Sequence, residues 1–318
     1  MGLTAADVKT ETFSRVSLLT GIGTAEVTAV TEYQGDKCAA NQSTKMVGGL
    51  VGAVAGKPQS SVEITRLDKD VIWDLNPAKK TYAERPIALP TDRLHAEGQG
   101  GQSGQRSPYR IVKSDMKVTK TGQSKSINGF PCIEYLMTWE VVLEDTASKT
   151  QVTQVMTMDM WNTPLTDQLT QVQTAQADFG RKLAQKYGVE LSPDETQRMG
   201  MGMFTSMYGL DPKEAAQKFD EADKELAKIE GYPVVTDIKW QVKGDSTAKK
   251  PEPEPAPQPS SGLSGMLAGK LAQSITPKQS SAAPDVVFSS YQELKSATVG
   301  GVPGGDFEIP AGYKKTGK

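Results

Sequence analysis

The sequence predicts an α+β protein built on one strongly curved antiparallel β-sheet, with a helical segment inserted late in the chain. Three observations carry that expectation. Short Thr/Val-rich segments alternate apolar and polar residues over much of the 318 residues, the period-two pattern of strands with one buried face. These segments follow one another directly, and short consecutive strands pair antiparallel. Between residues 164 and 230 the apolar period changes to that of helices. About nine to eleven strands are expected on this pattern.

The elements follow in order. TFSRVSLL and AEVTAVTEY, within residues 9–35, are split by Gly21-Ile22-Gly23 and read as a hairpin or two meander strands. VEITRLD, DVIWDLN and KTYAERP, from Val62 to Pro86, are punctuated by Asp68-Lys69-Asp70 and Asn76-Pro77, turn signals that suit an antiparallel meander. Val71, Trp73 and Leu75 share one strand face there, with Asp70 and Asp74 on the other. Residues 91–107 form a Gly/Gln/Ser-rich loop. Strands resume at Tyr109–Val118, Pro131–Leu143 and Gln151–Trp161.

Leu165, Leu169, Val172, Ala175, Phe179 and Leu183 then fall at helical spacing, with Thr163-Pro164 as the cap and first residue. A second helix opens at Ser192-Pro193-Asp194-Glu195, a capping box, and carries Met199, Met203 and Met207 on one stripe. A third opens at Asp211-Pro212 and ends at Gly231. Pro233–Lys243 is a strand again. PEPEPAPQP, from 251 to 259, has proline at every second position and cannot pair in a sheet. Residues 245–284 therefore read as a Pro-rich linker with one short amphipathic helix at Leu263, Met266, Leu267, Leu271 and Ile275. Val286–Val299 is the last long strand. The organisation is a single domain over 1–318, enlarged by the 164–230 insert and the 245–284 excursion.

Composition excludes several functions. With 36 basic and 38 acidic residues there is no global basic field for nucleic acid. Three His/Cys side chains, namely His95, Cys38 and Cys132, cannot fill a zinc site of the usual four-ligand Cys/His type, so no metal is expected. A histidine-dependent triad would need His95 as its base, and His95 lies in the 91–107 loop, which offers no fixed partner. Asp68, Asp70, Asp74, Glu63 and Glu84 cluster in sequence but fall in turns or on a polar strand face, the ordinary places for carboxylates. Gly21-Ile22-Gly23 lacks the third glycine and the following helix of a nucleotide loop. No catalytic residue and no cofactor is expected.

No run approaches the length of a membrane span. The opening MGLTAADVKT has neither the basic start nor the apolar core of a signal peptide. Two readings stay open: an exported chain whose leader has been removed, or a cytosolic protein.

Trp73, Tyr82, Tyr135, Trp139, Trp161 and Trp240 all fall on expected strands. They line either an apolar ligand cavity or an ordinary core. Met203 belongs either to a deformable cavity wall or to plain helix packing. GGLVGAVAG at 48–56, with Leu50 and Val51, and SGLSGMLAGKLA at 261–272, with Leu263, Met266 and Leu267, read as flaps at the cavity mouth or as packed surface pieces.

Five segments in order resemble one envelope family. They are YQGDKCAA (33–40), ITRLDKDVIWDLNPAKKTYAERP (64–86), TGQSKSINGFPCIEY (121–135), GYPVVTDIKW (231–240) and FEIPAGYKK (307–315). The pattern is similar to that of the DUF4412-type proteins, which resemble the LolA/LolB lipoprotein carriers in fold. The resemblance implies a half-open β-barrel closed at one end by helices, and a periplasmic or outer-membrane-associated location. It also implies that an apolar ligand, a lipid above all, binds the concave face. Export in turn invites a disulfide between Cys38 and Cys132, each just after a turn-like glycine; the alternative is two separate buried thiols. The leading expectation is thus a non-enzymatic lipid-binding protein. The other is a structural envelope protein with a filled half-barrel that reaches a protein partner through its Pro-rich tract and apolar segments.

Overall fold

The computed structural model describes residues 6–18, 23–48, 57–87, 109–187, 222, 224–244 and 285–316. Local turn chemistry sets most of the architecture. β1 (Val8–Leu18) pairs with β2 (Thr24–Gln34), and β2 turns at Gly35-Asp36 into β3 (Lys37–Val47). Gly35 has φ 59°, the left-handed conformation a two-residue hairpin requires. β4 (Gln59–Arg66), β5 (Val71–Asn76) and β6 (Thr81–Pro86) form the expected meander. β7 (Tyr109–Ile127) and β8 (Phe130–Asp145) are joined by Asn128-Gly129, both at positive φ, the Asn-Gly turn that matches strand twist. β9 (Gln151–Thr163) follows.

The helix α1 spans Asp167–Lys186, and Thr166 is its cap, its hydroxyl accepting from the Leu169 N–H at 3.2 Å. The expected Thr163-Pro164 cap is three residues too early because Thr163 still pairs with Tyr232 of β10 (Tyr232–Gly244). Leu165 accordingly precedes the helix and is exposed, whereas Leu169, Val172, Ala175 and Phe179 are buried as the spacing predicts. Of the third expected helix, Ala222 and residues 224–230 are described; 222 and 224–226 are helical, and 227–230 have already left the helix before the expected end at Gly231. The second helix, with Met199, Met203 and Met207, lies outside the described residues.

β10 opens at Gly231 (φ 85°), where a Cβ would sit 2.3 Å from the Thr163 carbonyl oxygen. Only glycine lets the chain return beside the end of β9 after the 164–230 insert. Asn162 supports the crossing, its Nδ2 donating to the Glu230 carbonyl at 2.9 Å.

One sheet of twelve strands results, in the order β12-β6-β5-β4-β3-β2-β1-β11-β10-β9-β8-β7. β11 (Asp285–Val299) pairs with β1 on one side and β10 on the other, and so joins two meanders, β1–β6 and β7–β10. β12 (Lys314–Lys315) adds to β6 as the single parallel pair.

The sheet is neither closed nor strongly curled, which corrects the expectation of strong curvature. Separate layers, instead of curling, bury its apolar faces. Ile72 packs with Phe179 of α1, while its neighbour Trp73 packs with Phe307 of the C-terminal segment. Adjacent strand residues point to opposite faces, so α1 and residues 302–313 cover opposite sides of β3–β5.

The expected disulfide is absent. Cys38 on β3 and Cys132 on β8 are free thiols. Six strand spacings separate β3 from β8 in the sheet order, about 29 Å at ~4.8 Å per spacing, far beyond the ~7 Å Cα limit of a bridge. Cys38 packs beside Leu183 and Tyr187 of α1, whereas Cys132 joins the cluster that holds Leu169 and Val172. Burial pushes the Cys38 thiol up to about 12 and raises that of Cys132, so neither is a reactive thiolate at neutral pH.

Candidate functional site

The six aromatic candidates divide among three places. Trp73 and Tyr82 lie in the cluster with Ile64, Leu75, Val302 and Phe307, under the C-terminal segment. Trp73 Nε1 donates to Glu84 at 3.0 Å, and the Lys69 ammonium lies 5.1 Å from its ring. Trp161 packs in the cluster with Cys132 and Val235, and the Lys125 ammonium sits 3.6 Å from its ring centroid. Tyr135, Trp139 and Trp240 do come together, on one face of β8–β10. Met203, Leu50, Val51, Leu263, Met266, Leu267 and His95 lie outside the described residues.

That shared face is the candidate site. The register puts Met116 of β7 opposite Trp139 of β8, and Trp139 opposite Met156 of β9. Met156 in turn lies opposite Trp240 of β10. Met137, Met158 and Met160 continue the same face. Five methionines and three aromatics thus pave one surface. Ala222, Leu226 and Ile229 pack on it from the end of the helical insert, and the Glu225 carboxylate accepts from the Val118 N–H of the edge strand at 2.8 Å. Trp139 is buried, but Met116, Met156, Met158 and Trp240 are only half-buried.

The polar groups of this face are few. Trp139 Nε1 donates to Ser114 Oγ at 3.1 Å, and Trp240 Nε1 donates to Gln154 Oε1 at 2.8 Å. Gln154 is 2% exposed, yet its Nε2 has no hydrogen-bond partner. At one end, Lys120 pairs with Glu230 at 3.2 Å and the Tyr135 hydroxyl donates to the same carboxylate oxygen at 3.4 Å. The methionine ladder was legible in QVMTMDMW, where every second residue from 156 to 160 is Met. The unpartnered Gln154 amide was not, because it depends on what lies across two strands.

The other face of the same strands mixes apolar residues packed under α1, such as Cys132 and Trp161, with acidic ones. Asp159 stands directly opposite Asp237, and its Oδ1 is buried without a partner. Burial, followed by the Glu134 and Asp237 charges, raises its carboxyl above the usual range, against the pull of Lys125 and Lys239.

The acidic residues near β4–β6 form no joint site. Asp68 pairs with Arg66, Asp70 with Lys186, Asp74 and Glu63 with Arg85, and Glu84 with Lys315. Among the described residues no three His, Cys, Asp or Glu side chains are grouped to hold a metal ion, and no helix is long and apolar enough to cross a membrane. Neither a protein-family model nor a curated protein matches the chain.

Proposed function

We propose that this protein is a non-enzymatic envelope protein, periplasmic or outer-membrane-associated, that holds a lipid or another apolar ligand against the Met/Trp face of β7–β10. A single observation carries the reading: Met116, Met137, Met156, Met158 and Met160 pave one face together with Tyr135, Trp139 and Trp240. Unbranched thioethers repack at little cost around varied apolar shapes, and the half-burial of Met156, Met158 and Trp240 leaves them able to exchange contacts with the chain for contacts with a ligand. Ala222, Leu226 and Ile229 pack on this face, and Glu225 and Glu230 reach Val118, Lys120 and Tyr135 from the same helical end. The five ordered segments that resemble the DUF4412-type proteins support an envelope role and a distant half-barrel kinship with the LolA/LolB carriers.

Native mass spectrometry of the protein purified from a bacterial envelope fraction tests this. The expected result is an apolar adduct that organic extraction removes. A consistently ligand-free protein overturns the reading.

A second reading has its own support, since all six aromatic candidates already pack against the chain's own residues. On this reading the sheet is a filled scaffold and the 250–284 tract recruits a protein partner. Deleting residues 250–284 distinguishes the two: loss of a co-purifying protein with the fold retained favours the scaffold, and retention of the adduct favours the ligand binder.

A further inference from the structure

From the setting of Gln154 we infer that the apolar ligand carries a neutral hydrogen-bond acceptor, an ester or amide carbonyl, which Gln154 Nε2 binds in the middle of the Met/Trp face. The inference rests on the ligand-binding reading above and narrows the ligand's chemical class.

Gln154 is nine-tenths buried and more, with its side chain between Val141 of β8 and Val242 of β10. Its two polar atoms are in different states. Oε1 accepts from Trp240 Nε1 at 2.8 Å, which orients the amide, and Nε2 donates to nothing. A buried amide donor left unmade is costly, and native proteins leave few of them. The orientation is meaningful because Trp indole nitrogen is only ever a donor: the amide must present its oxygen to Trp240 and therefore its NH2 elsewhere.

The surroundings restrict what the NH2 group can take. The register places Tyr135, Met137, Trp139, Val141 and Leu143 of β8 on this face, and Val152, Met156, Met158 and Met160 of β9 beside Gln154. Ile238, Trp240 and Val242 of β10 complete it. None of these is charged. The nearest described ion pair on the face, Lys120 with Glu230, lies at the Tyr135 end. A carboxylate or phosphate beside Gln154 would be desolvated with no cation among the described residues to answer it. A hydrocarbon would leave the NH2 unmade. A carbonyl embedded in hydrocarbon satisfies the donor and adds no charge.

The test uses the full chain and three probes of equal length: dodecane, methyl laurate and laurate, with bound amounts measured by equilibrium dialysis at equal free concentration. The ester is expected to bind about tenfold more tightly than dodecane, the value of one buried hydrogen bond with its penalty relieved, and more tightly than laurate. Gln154→Met, close in volume, is expected to abolish the ester's advantage over dodecane. Equal binding of dodecane and methyl laurate by the unaltered protein overturns the Gln154 assignment while the apolar site stands. A preference for laurate overturns it too. No binding of any probe overturns the ligand-binding reading itself. The three-probe series on the unaltered chain decides the matter even where Gln154→Met fails to fold.

Discussion

The two meanders that β11 joins are held together differently. In β3–β6 both faces are covered, by α1 on one side and by residues 302–313 on the other. Ionic contacts lock the covers down. Arg66, whose side chain is 5% exposed, pairs with Asp68 at 2.7 Å and with Glu308, and donates to the Phe307 carbonyl at 3.1 Å. Lys182 and Lys186 of α1 pair with Asp36 and Asp70 in the β2–β3 and β4–β5 turns. In β7–β10 the apolar face is made of methionine and tryptophan, and among the described residues the end of the helical insert meets it through Glu225, which accepts from the Val118 N–H, and Glu230, which pairs with Lys120. Shape-specific residues and ion pairs define one packing. Thioethers tolerate several. The proposed ligand site falls in the second half because its methionine face can repack.

The contrast can be broken most forcefully at its hinge points. Gly231→Ala forces a Cβ into the Thr163 carbonyl at a positive φ, and should cost about 2–4 kcal/mol in urea unfolding. Phe307→Ala empties a site that is wholly buried, and should cost about 3–5 kcal/mol. A matched pair of volume-conserving changes tests the contrast directly: Met158→Leu should cost under about 1.5 kcal/mol, and Leu75→Met, in the buried cluster of the first half, should cost more. Similar losses for the last two would show that both halves are equally rigid and remove the contrast.

Arg66→Ala should cost about 1–3 kcal/mol, because its partners Asp68 and Glu308 are exposed enough to be rehydrated. Arg66 hydrogen bonds hold both carboxyls below their ordinary range. Their stabilisation is therefore present above the unfolded carboxylate range and lost as pH falls through the folded values. Hydrogen exchange at residues 302–313 should rise in acid before exchange in β7–β10 does, and simultaneous opening would contradict the ionic lock.

The smallest effect has the opposite sign. The raised Asp159 carboxyl means that ionising it opposes folding, so stability falls as pH rises from the unfolded to the folded value. Asp159→Asn should stabilise by about 0.2–1 kcal/mol at neutral pH, and the gain should vanish in acid. A loss at neutral pH would mean the carboxylate has a partner in solution.

Much of the fold was legible. The β4–β6 meander and the buried stripe of α1 follow from local spacing, whereas the strand expected at Tyr109–Val118 continues to Ile127 and turns at Asn128-Gly129. The β3 strand was harder, because KCAANQSTKMV shows little apolar alternation and is held by the ladders on both sides. Ile72 beside Trp73 was misleading for a physical reason: a strand covered on both faces loses the alternation that betrays one buried face. The cysteines misled because two residues near turns are close to glycines but not to each other. Of the face that carries the proposed site, the sequence pointed to Trp139, Trp240 and Tyr135, but nothing local separated them from Trp73, Tyr82 or Trp161.

By itself, the sequence determined most of the strands, the turns of the β4–β6 meander and which stripe of α1 is buried. Those properties depend on side-chain period and on residues that tolerate positive φ, and both act within a few positions. Tertiary structure alone decided that β11 lies between β1 and β10, that β12 runs parallel to β6, and that Phe307 caps one face while Gln154 is left without a donor's partner on another. Such placements join residues far apart in the chain through the choice of which edges and faces meet, and no short window of sequence carries that choice.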